Sequence, residues 1–299
     1  MPADPYPADC SESGNRVKAS PRVARMTARS AAALGALVLL AGLAGWAGHR
    51  VYHRVSRVLA ARAAAGPRPE SPLARADRRA YAWVPPGPHT LGDPASGTPA
   101  HPFQWGGAWF GRAEVTGGAF AEFLNETRNE SFASPQFVRE GPAWQAIRPD
   151  HPVTRVSLAD ARAYAQWFSA RKRVRARLPS ADEWEAAARG GVAGAPFAWG
   201  WGDPAGRAAF AASGTVRTAW FPANGFGLFD CSGGVAEWCE PAADDPPGTA
   251  VVRGGSWSDR DPAQLQPGRT HRLPATYRDA DVGFRILIEP APAAGQSSR

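Results

Sequence analysis

The segment Gly227-Leu-Phe-Asp-Cys-Ser-Gly-Gly-Val-Ala-Glu-Trp-Cys239, with Arg253-Gly-Gly-Ser-Trp257 fourteen residues further on, decides how this chain is read. The glycines at 227, 233, 234, 254 and 255 argue against a helix, since each weakens a helix interior by about 1 kcal/mol relative to alanine. They suit a backbone that turns sharply and carries its carbonyls inward. Two carboxylates, Asp230 and Glu237, lie in that backbone, and Trp238 and Trp257 give it large apolar anchors. The clearest late strand, Phe284-Arg-Ile-Leu-Ile288, follows Gly283, so Arg285 stands close to a glycine as Arg253 does. No cysteine follows Trp257.

Outward from this segment, charge divides the chain. Residues 1–80 hold 13 Lys/Arg against 5 Asp/Glu, a net +8, whereas residues 81–299 hold 21 against 22, a net −1. The pI near 9.9 therefore belongs to the N-terminal part. A basic segment beside an apolar run suits an anionic membrane surface, so a lipid bilayer is an expected partner. The near-neutral remainder resembles no nucleic-acid module, and no nucleic-acid partner is expected. Eleven of the 12 tryptophans lie between Trp83 and Trp257, which marks a compact domain rich in irregular backbone. Cys231 and Cys239, eight apart, match neither a Cys-x-x-Cys redox pair nor a zinc spacing. They read as buried, unpaired thiols, with a local disulfide as the alternative.

Five stretches are expected along the chain. Residues 1–29 form a disordered basic leader, with five basic residues from Arg16 to Arg29. Ser30 to Gly48 is a run of 19 uncharged residues, long enough to span the ~30 Å of a bilayer core as a helix. It is read as an uncleaved signal anchor; the alternative is a signal peptide cleaved after Gly45-Trp-Ala47. Arginines flank the run on both sides, so the positive-inside bias is small, and the folded domain is expected outside the cytoplasm, in the periplasm. Residues 49–80 read as a juxtamembrane helix and linker, 81–289 as the folded domain, and 290–299 as a disordered tail.

Within the domain, Tyr81-Ala-Trp-Val84 reads as a strand running into a turn, and Thr116 precedes a helix with Phe120, Phe123 and Leu124 on one face. Ser157-Leu-Ala-Asp160 and Ser180-Ala-Asp-Glu183 are capping-box patterns. The first leads into Ala161, Tyr164, Ala165 and Phe168 at helical spacing; the second starts a helix with Trp184, Ala187 and Ala188, stopped by Gly190-Gly191. Val251-Val252 and Phe284–Ile288 read as strands. Glu183 and Glu185 are expected near the positive end of their helix dipole, with Arg177 and Arg189 pairing with carboxylates around it.

Several blocks in order carry a resemblance. They are Gly111-Arg-Ala-Glu-Val-Thr116, Pro152-Val-Thr-Arg-Val-Ser157, Arg177-Leu-Pro-Ser-Ala-Asp-Glu-Trp-Glu-Ala-Ala-Ala-Arg189, Phe197-Ala-Trp-Gly200 and the Gly227, Arg253 and Gly283 blocks. Together they resemble the formylglycine-generating enzymes, or sulfatase-modifying factors, across nearly all of residues 81–288. The resemblance implies an α+β fold, an elaborated C-type-lectin-like domain with little regular secondary structure. To this the sequence adds one N-terminal transmembrane helix.

The resemblance also implies a structural calcium site whose ligands, carried over by position, are Asp230, the carbonyls of Gly233 and Val235, and Glu237. Hard oxygen donors and turning glycines agree with that ion. The bland alternative is an Asp/Glu pair satisfied by backbone N–H groups. Gly234 stands where the family usually has Asn. Ala209 stands where a second calcium site of the family relies on Asn, so that second site is expected to be lost.

In the oxidases of the family, two cysteines five apart bind Cu(I) as thiolates, and the copper activates O₂. At those positions this chain carries Asp259 and Gln264. No copper is expected. Trp257, Asp259, Gln264, Arg269 and His271 are expected around a binding groove. The leading expectation is an accessory or binding module for a peptide, protein or glycan. The alternative is an extracytoplasmic oxidoreductase acting on a peptide or small metabolite.

Overall fold

The computed structural model describes residues 68–73, 77–93, 97–130 and 132–291. They fall in the second of two compact units, Val55–Arg299. The expected leader, the anchor at 30–48, the juxtamembrane helix and most of the tail lie outside the described residues. Among the described residues no helix is long and apolar enough to cross a membrane.

Among the described residues three α-helices form where side chains satisfy their first N–H groups. In α1 (Gly117–Glu126) the Thr116 side chain accepts from Ala119 N–H. In α2 (Leu158–Lys172) Ser157 and Asp160 form a reciprocal capping box, as do Ser180 and Glu183 in α3 (Ala181–Ala188). Both boxes were legible in the sequence. The expected apolar faces are the buried ones: Phe120, Phe123 and Leu124 on α1, and Ala161, Tyr164, Ala165 and Phe168 on α2. The Phe120 and Tyr164 rings stack at 5.9 Å, and Phe284 meets Tyr164 edge-on at 5.4 Å. Full burial of each such ring stabilises the fold by roughly 1.5–3 kcal/mol.

Among the described residues short strands make two four-stranded sheets. One contains β1 (Tyr81–Val84), β4 (Ala108–Gly111), β12 (Leu287–Ile288) and β7 (Ala176–Arg177), in that order and antiparallel throughout. The other contains β10 (His271–Pro274), β9 (Thr249–Arg253), β8 (Ala236–Trp238) and β11 (Val282–Gly283); only β8 and β11 run parallel. Two hairpins stand apart: β2 (Gly87–Asp93) with β3 (Thr98–Trp105), and β5 (Phe137–Glu140) with β6 (Ala143–Ala146). From Gly190 to Val235 no helix or named strand occurs.

Of the strand expected over Phe284–Ile288 only the end forms, as β12. β11 lies just ahead of it in the other sheet, and residues 284–286 cross from sheet to sheet. Loop backbone holds that crossing: Val115 N–H donates to the Phe284 carbonyl and Gly111 N–H to the Ile286 carbonyl, both at 2.9 Å. The crossing places Arg285 between the sheets, where it is 1% exposed.

Glu185 also differs from expectation. It lies in the helix interior and is fully buried, so its partners are cations rather than the helix dipole. Its Oε1 accepts from Arg189 Nε at 2.8 Å and from Gly92 N–H at 2.7 Å, and Arg253 approaches Oε2 at 3.2 Å. Cys231 and Cys239 are buried free thiols. Burial pushes the Cys231 thiol up to about 12.

Candidate functional site

The Asp230–Glu237 loop runs into β8, whose two neighbours in the sheet fix its end. Glu237 is fully buried. Its Oε2 accepts from Arg285 Nε at 2.5 Å and from the Trp184 indole at 2.7 Å, and its Oε1 accepts from Arg285 Nη2 at 2.5 Å. A buried carboxylate needs such a partner, because leaving it unpaired costs several kcal/mol. Oε2 is thereby saturated, while Oε1 keeps one acceptor position.

Arg285 spends its remaining donors on loop carbonyls. Nη1 reaches Gly111 at 3.3 Å and Arg112 at 3.4 Å, and Nη2 reaches Phe229 at 3.0 Å. Arg253 is likewise tied to loop backbone: its Nη1 donates to the Pro267 carbonyl at 3.0 Å.

Asp230 adopts a left-handed conformation, φ +54°. Its carboxylate accepts from Ala219 N–H at 2.6 Å and, more weakly, from Phe221 N–H at 3.4 Å. Burial raises its pKa, and the Ala219 N–H and Arg285 oppose that shift. Among the described residues no loop or side-chain donor reaches the Gly233 or Val235 carbonyl. Their oxygens are the kind of hard donors that Ca²⁺ takes. Among the described residues no group of three or more His, Cys, Asp or Glu side chains has metal-holding geometry, so any ion here must lean on backbone oxygen.

A residue that sequence reasoning left in the scaffold joins this loop. Glu114, just ahead of α1, is 4% exposed, and its Oε2 is buried with no hydrogen-bond partner. Burial, then the nearby Asp230, holds its pKa well above the usual carboxylate range. Its Oε1 lies 3.0 Å from the point where a Cβ on Gly234 would stand, a point 3.8 Å from Asp230 Cβ. A cleft of about 420 Å³ beside it is lined by Glu114, Arg112, Tyr81, Thr218, Ala219 and Phe229.

The loop at the copper positions is tied to this one. Gly233 N–H donates to the Gly254 carbonyl at 2.8 Å, and Trp257 N–H donates to the Gly234 carbonyl at 2.9 Å. The Trp257 indole donates to the Ala280 carbonyl at 3.1 Å. Asp259 folds back on its own turn: Oδ2 accepts from Ser256 N–H at 2.7 Å and from the Ser256 hydroxyl at 3.2 Å. Gln264 sits in a 3₁₀ turn, Pro262–Leu265, with its Oε1 buried. Arg269 precedes β10, and its carbonyl receives Arg253 Nη1 at 3.4 Å. His271 opens β10, half-buried; burial and then Arg269 lower its pKa, while Asp259 opposes them. His271 thus feels the charges of Arg269 and Asp259. None of these five residues lines the Glu114 cleft.

The buried Glu237–Arg285 pair, the paired capping boxes and the glycine loop form one scaffold, and a family model describes it. The model for a sulfatase-modifying factor enzyme 1-like domain matches residues 69–290. The chain belongs to this family. Among its relatives is the formylglycine-generating enzyme of Streptomyces coelicolor, 38% identical over 141 residues, which are 37% of this chain and 43% of that protein. The Mycobacterium tuberculosis formylglycine-generating enzyme is 35% identical over 185 residues, 48% of this chain and 60% of that protein. The chain therefore spans about half the length of these relatives. A cattle (Bos taurus) relative named inactive C-alpha-formylglycine-generating enzyme 2 is 38% identical over 129 residues, 37% of this chain and 40% of that protein.

Solved structures agree on the sulfatase-modifying-factor fold. PvdO from Pseudomonas aeruginosa matches with TM-score 0.59 at 24% identity over 70% of this chain and 94% of that one. CarF matches with TM-score 0.55 at 26% identity over 71% and 98%. Family membership and the mixed α+β fold were both read from the sequence blocks. Glu114 was not singled out, because its neighbours Asp230 and Gly234 lie far away in sequence. An acidic residue immediately before a helix start, amid buried apolar positions, was the one available signal.

Proposed function

We propose that this protein is a membrane-anchored member of the sulfatase-modifying factor family that binds a peptide, protein or glycan without copper catalysis. The observation that carries this reading is the chemistry at the copper positions, Asp259 and Gln264. Hard oxygen and amide groups do not replace two thiolates around Cu(I), and the Asp259 carboxylate is engaged by its own turn. The residues present do not fit copper. The existence of a relative named inactive supports the reading.

Calcium does fit the residues of the neighbouring loop. Asp230, the carbonyls of Gly233 and Val235, and the remaining acceptor position of Glu237 are the groups that would hold it. Calcium there supplies charge and cross-linking, not chemistry. Through the Trp257–Gly234 hydrogen bond it stiffens the loop that carries the groove residues Trp257, Asp259, Gln264, Arg269 and His271. The uncharged run 30–48 anchors the chain in the bilayer with the domain outside the cytoplasm; its length and the basic residues beside it support the anchoring.

An extracytoplasmic oxidoreductase is the second reading. It is favoured by His271 standing within electrostatic reach of Asp259, since an Asp with a His is the raw material of acid–base work. The deciding experiment is O₂ uptake by the purified full-length protein with cysteine-containing peptides and with candidate metabolites. The binding-module reading expects no substrate-dependent uptake. Uptake that stops when His271 is replaced by Ala overturns it in favour of the second reading.

A further inference from the structure

We propose that the cleft lined by Arg68, Arg79 and Arg112 binds a phosphate group, carried by a phospholipid headgroup or by a small phosphorylated molecule. The site is separate from the calcium and copper positions, and only its lipid occupant rests on the anchoring reading above.

Three observations carry it. First, the fold assembles this cleft from three separate stretches of chain. They are Arg68–Ser71, the 3₁₀ turn Asp77–Ala80 that carries Arg79, and the end of β4, with Trp109 on its wall and Arg112 just beyond it. Arg112 N–H donates to the Ala80 carbonyl at 2.8 Å, which fixes the turn against the end of the strand. The cleft has a volume of about 420 Å³, within the size range of small-molecule sites.

Second, two of its three guanidiniums are oriented by the protein. Arg68 lies over the ring of the buried Trp109, 4.1 Å from its centroid, a cation–π contact. Arg112 gives Nη1 to the Gly227 carbonyl at 2.9 Å, and among the described residues its Nε and Nη2 meet no acceptor. The third, Arg79, is exposed and meets no acceptor among the described residues either. A guanidinium presents its N–H groups as a rigid fork that matches two phosphate oxygens at once.

Third, the charge of the cleft is unbalanced. Three guanidiniums face one carboxylate, Glu70, which leaves two positive charges. The acidic residue nearest Arg79 in sequence does not offset them, because both Asp77 carboxylate oxygens accept from Lys172 Nζ at 3.0 Å. A phosphate monoester carries a charge of about −1.5 to −2 at neutral pH and balances the excess. Position favours a headgroup as its source. Only 19 residues, 49–67, separate Arg68 from the uncharged run 30–48, so the anchor tethers the cleft near the bilayer surface.

The test uses the full-length protein in phosphatidylcholine nanodiscs, in two arms. In one, inorganic phosphate is titrated in; in the other, the nanodiscs contain added phosphatidic acid. Both are read as protection of the Ser71, Arg79 and Arg112 amides from hydrogen exchange. Wild type is expected to be protected in at least one arm, and the arm names the source of the phosphate. Arg79→Gln is expected to weaken the effect about tenfold or more, the usual loss of a hydrogen bond between charged groups. Because Arg79 is exposed, this variant tests the site without disturbing the fold. Arg112→Lys keeps the charge but not the fork, and weaker protection there supports recognition by geometry. Arg207→Gln removes an exposed arginine outside the cleft and should change nothing. No protection in either arm overturns the proposal, as does protection unchanged in Arg79→Gln or lost equally in Arg207→Gln. Protein that leaves the nanodiscs overturns the anchoring reading instead, and the phosphate arm, run on the released protein, still decides the site.

Discussion

Trp257 N–H donates to the Gly234 carbonyl at 2.9 Å, and this bond joins the carboxylate-bearing loop to the loop that carries cysteines in the copper oxidases. A second bond, Gly233 N–H to the Gly254 carbonyl at 2.8 Å, lies beside it. The two loops are thus one mechanical unit. Chelating calcium from the full-length protein is expected to speed hydrogen exchange at the Gly233 and Trp257 amides together. Exchange that changes at Gly233 alone contradicts the coupling.

Arg285 holds the centre of the scaffold. Replacing it with Met leaves Glu237 buried without its cation, and the expected loss is about 3–5 kcal/mol of stability by urea unfolding. The double replacement Arg285→Met with Glu237→Gln should recover part of that loss, because the uncompensated charge is then gone. No recovery means that the loss comes from the loop carbonyls at Gly111, Arg112 and Phe229 instead.

Asp259 acts as a turn former. Asp259→Ala is expected to cost about 1 kcal/mol, the usual loss when a side chain that caps backbone N–H groups is removed. The reading predicts no change in bound copper. The measurement is thermal unfolding alongside metal content, and a fall in copper occupancy in this variant contradicts the assignment.

Acid stability should depend on Glu183. Burial works against its charge, but the hydrogen bonds from Arg177 and from Ser180 N–H outweigh it and hold the carboxyl below its usual range. Because the folded pKa is the lower one, the contribution is fully present above the unfolded value near 4.5 and is lost as pH falls through the folded value. Glu183→Gln should flatten the pH dependence of the thermal midpoint in that acid window. A variant with the same slope as wild type removes Glu183 from the account.

What the sequence revealed and what it hid follow from the range of each interaction. Capping boxes act over three residues, so the starts of α2 and α3 were legible from Ser157 and Ser180. The family blocks made the α+β fold legible. The strands were harder, because several are only two to four residues long and owe their existence to distant partners. Phe284–Ile288 has the composition of one strand, yet Val115 and Gly111 draw its backbone across from one sheet to the other. Glu114 and Gly234 meet only in the folded chain, 120 positions apart, so no local pattern announces them. Glu185 looked like a dipole partner for the same reason: Arg253 reaches it from another element.

The account's central claim is that the family scaffold keeps an oxygen-lined calcium loop beside copper positions that no longer hold copper. Elemental analysis of the full-length protein, purified after exposure to both Cu(I) under reducing conditions and Ca²⁺, tests this most directly. The account predicts bound calcium in stoichiometric amount and no retained copper. Stoichiometric copper that survives Asp259→Ala and Gln264→Ala contradicts the claim about the site, and stoichiometric copper that depends on them contradicts the claim about its chemistry.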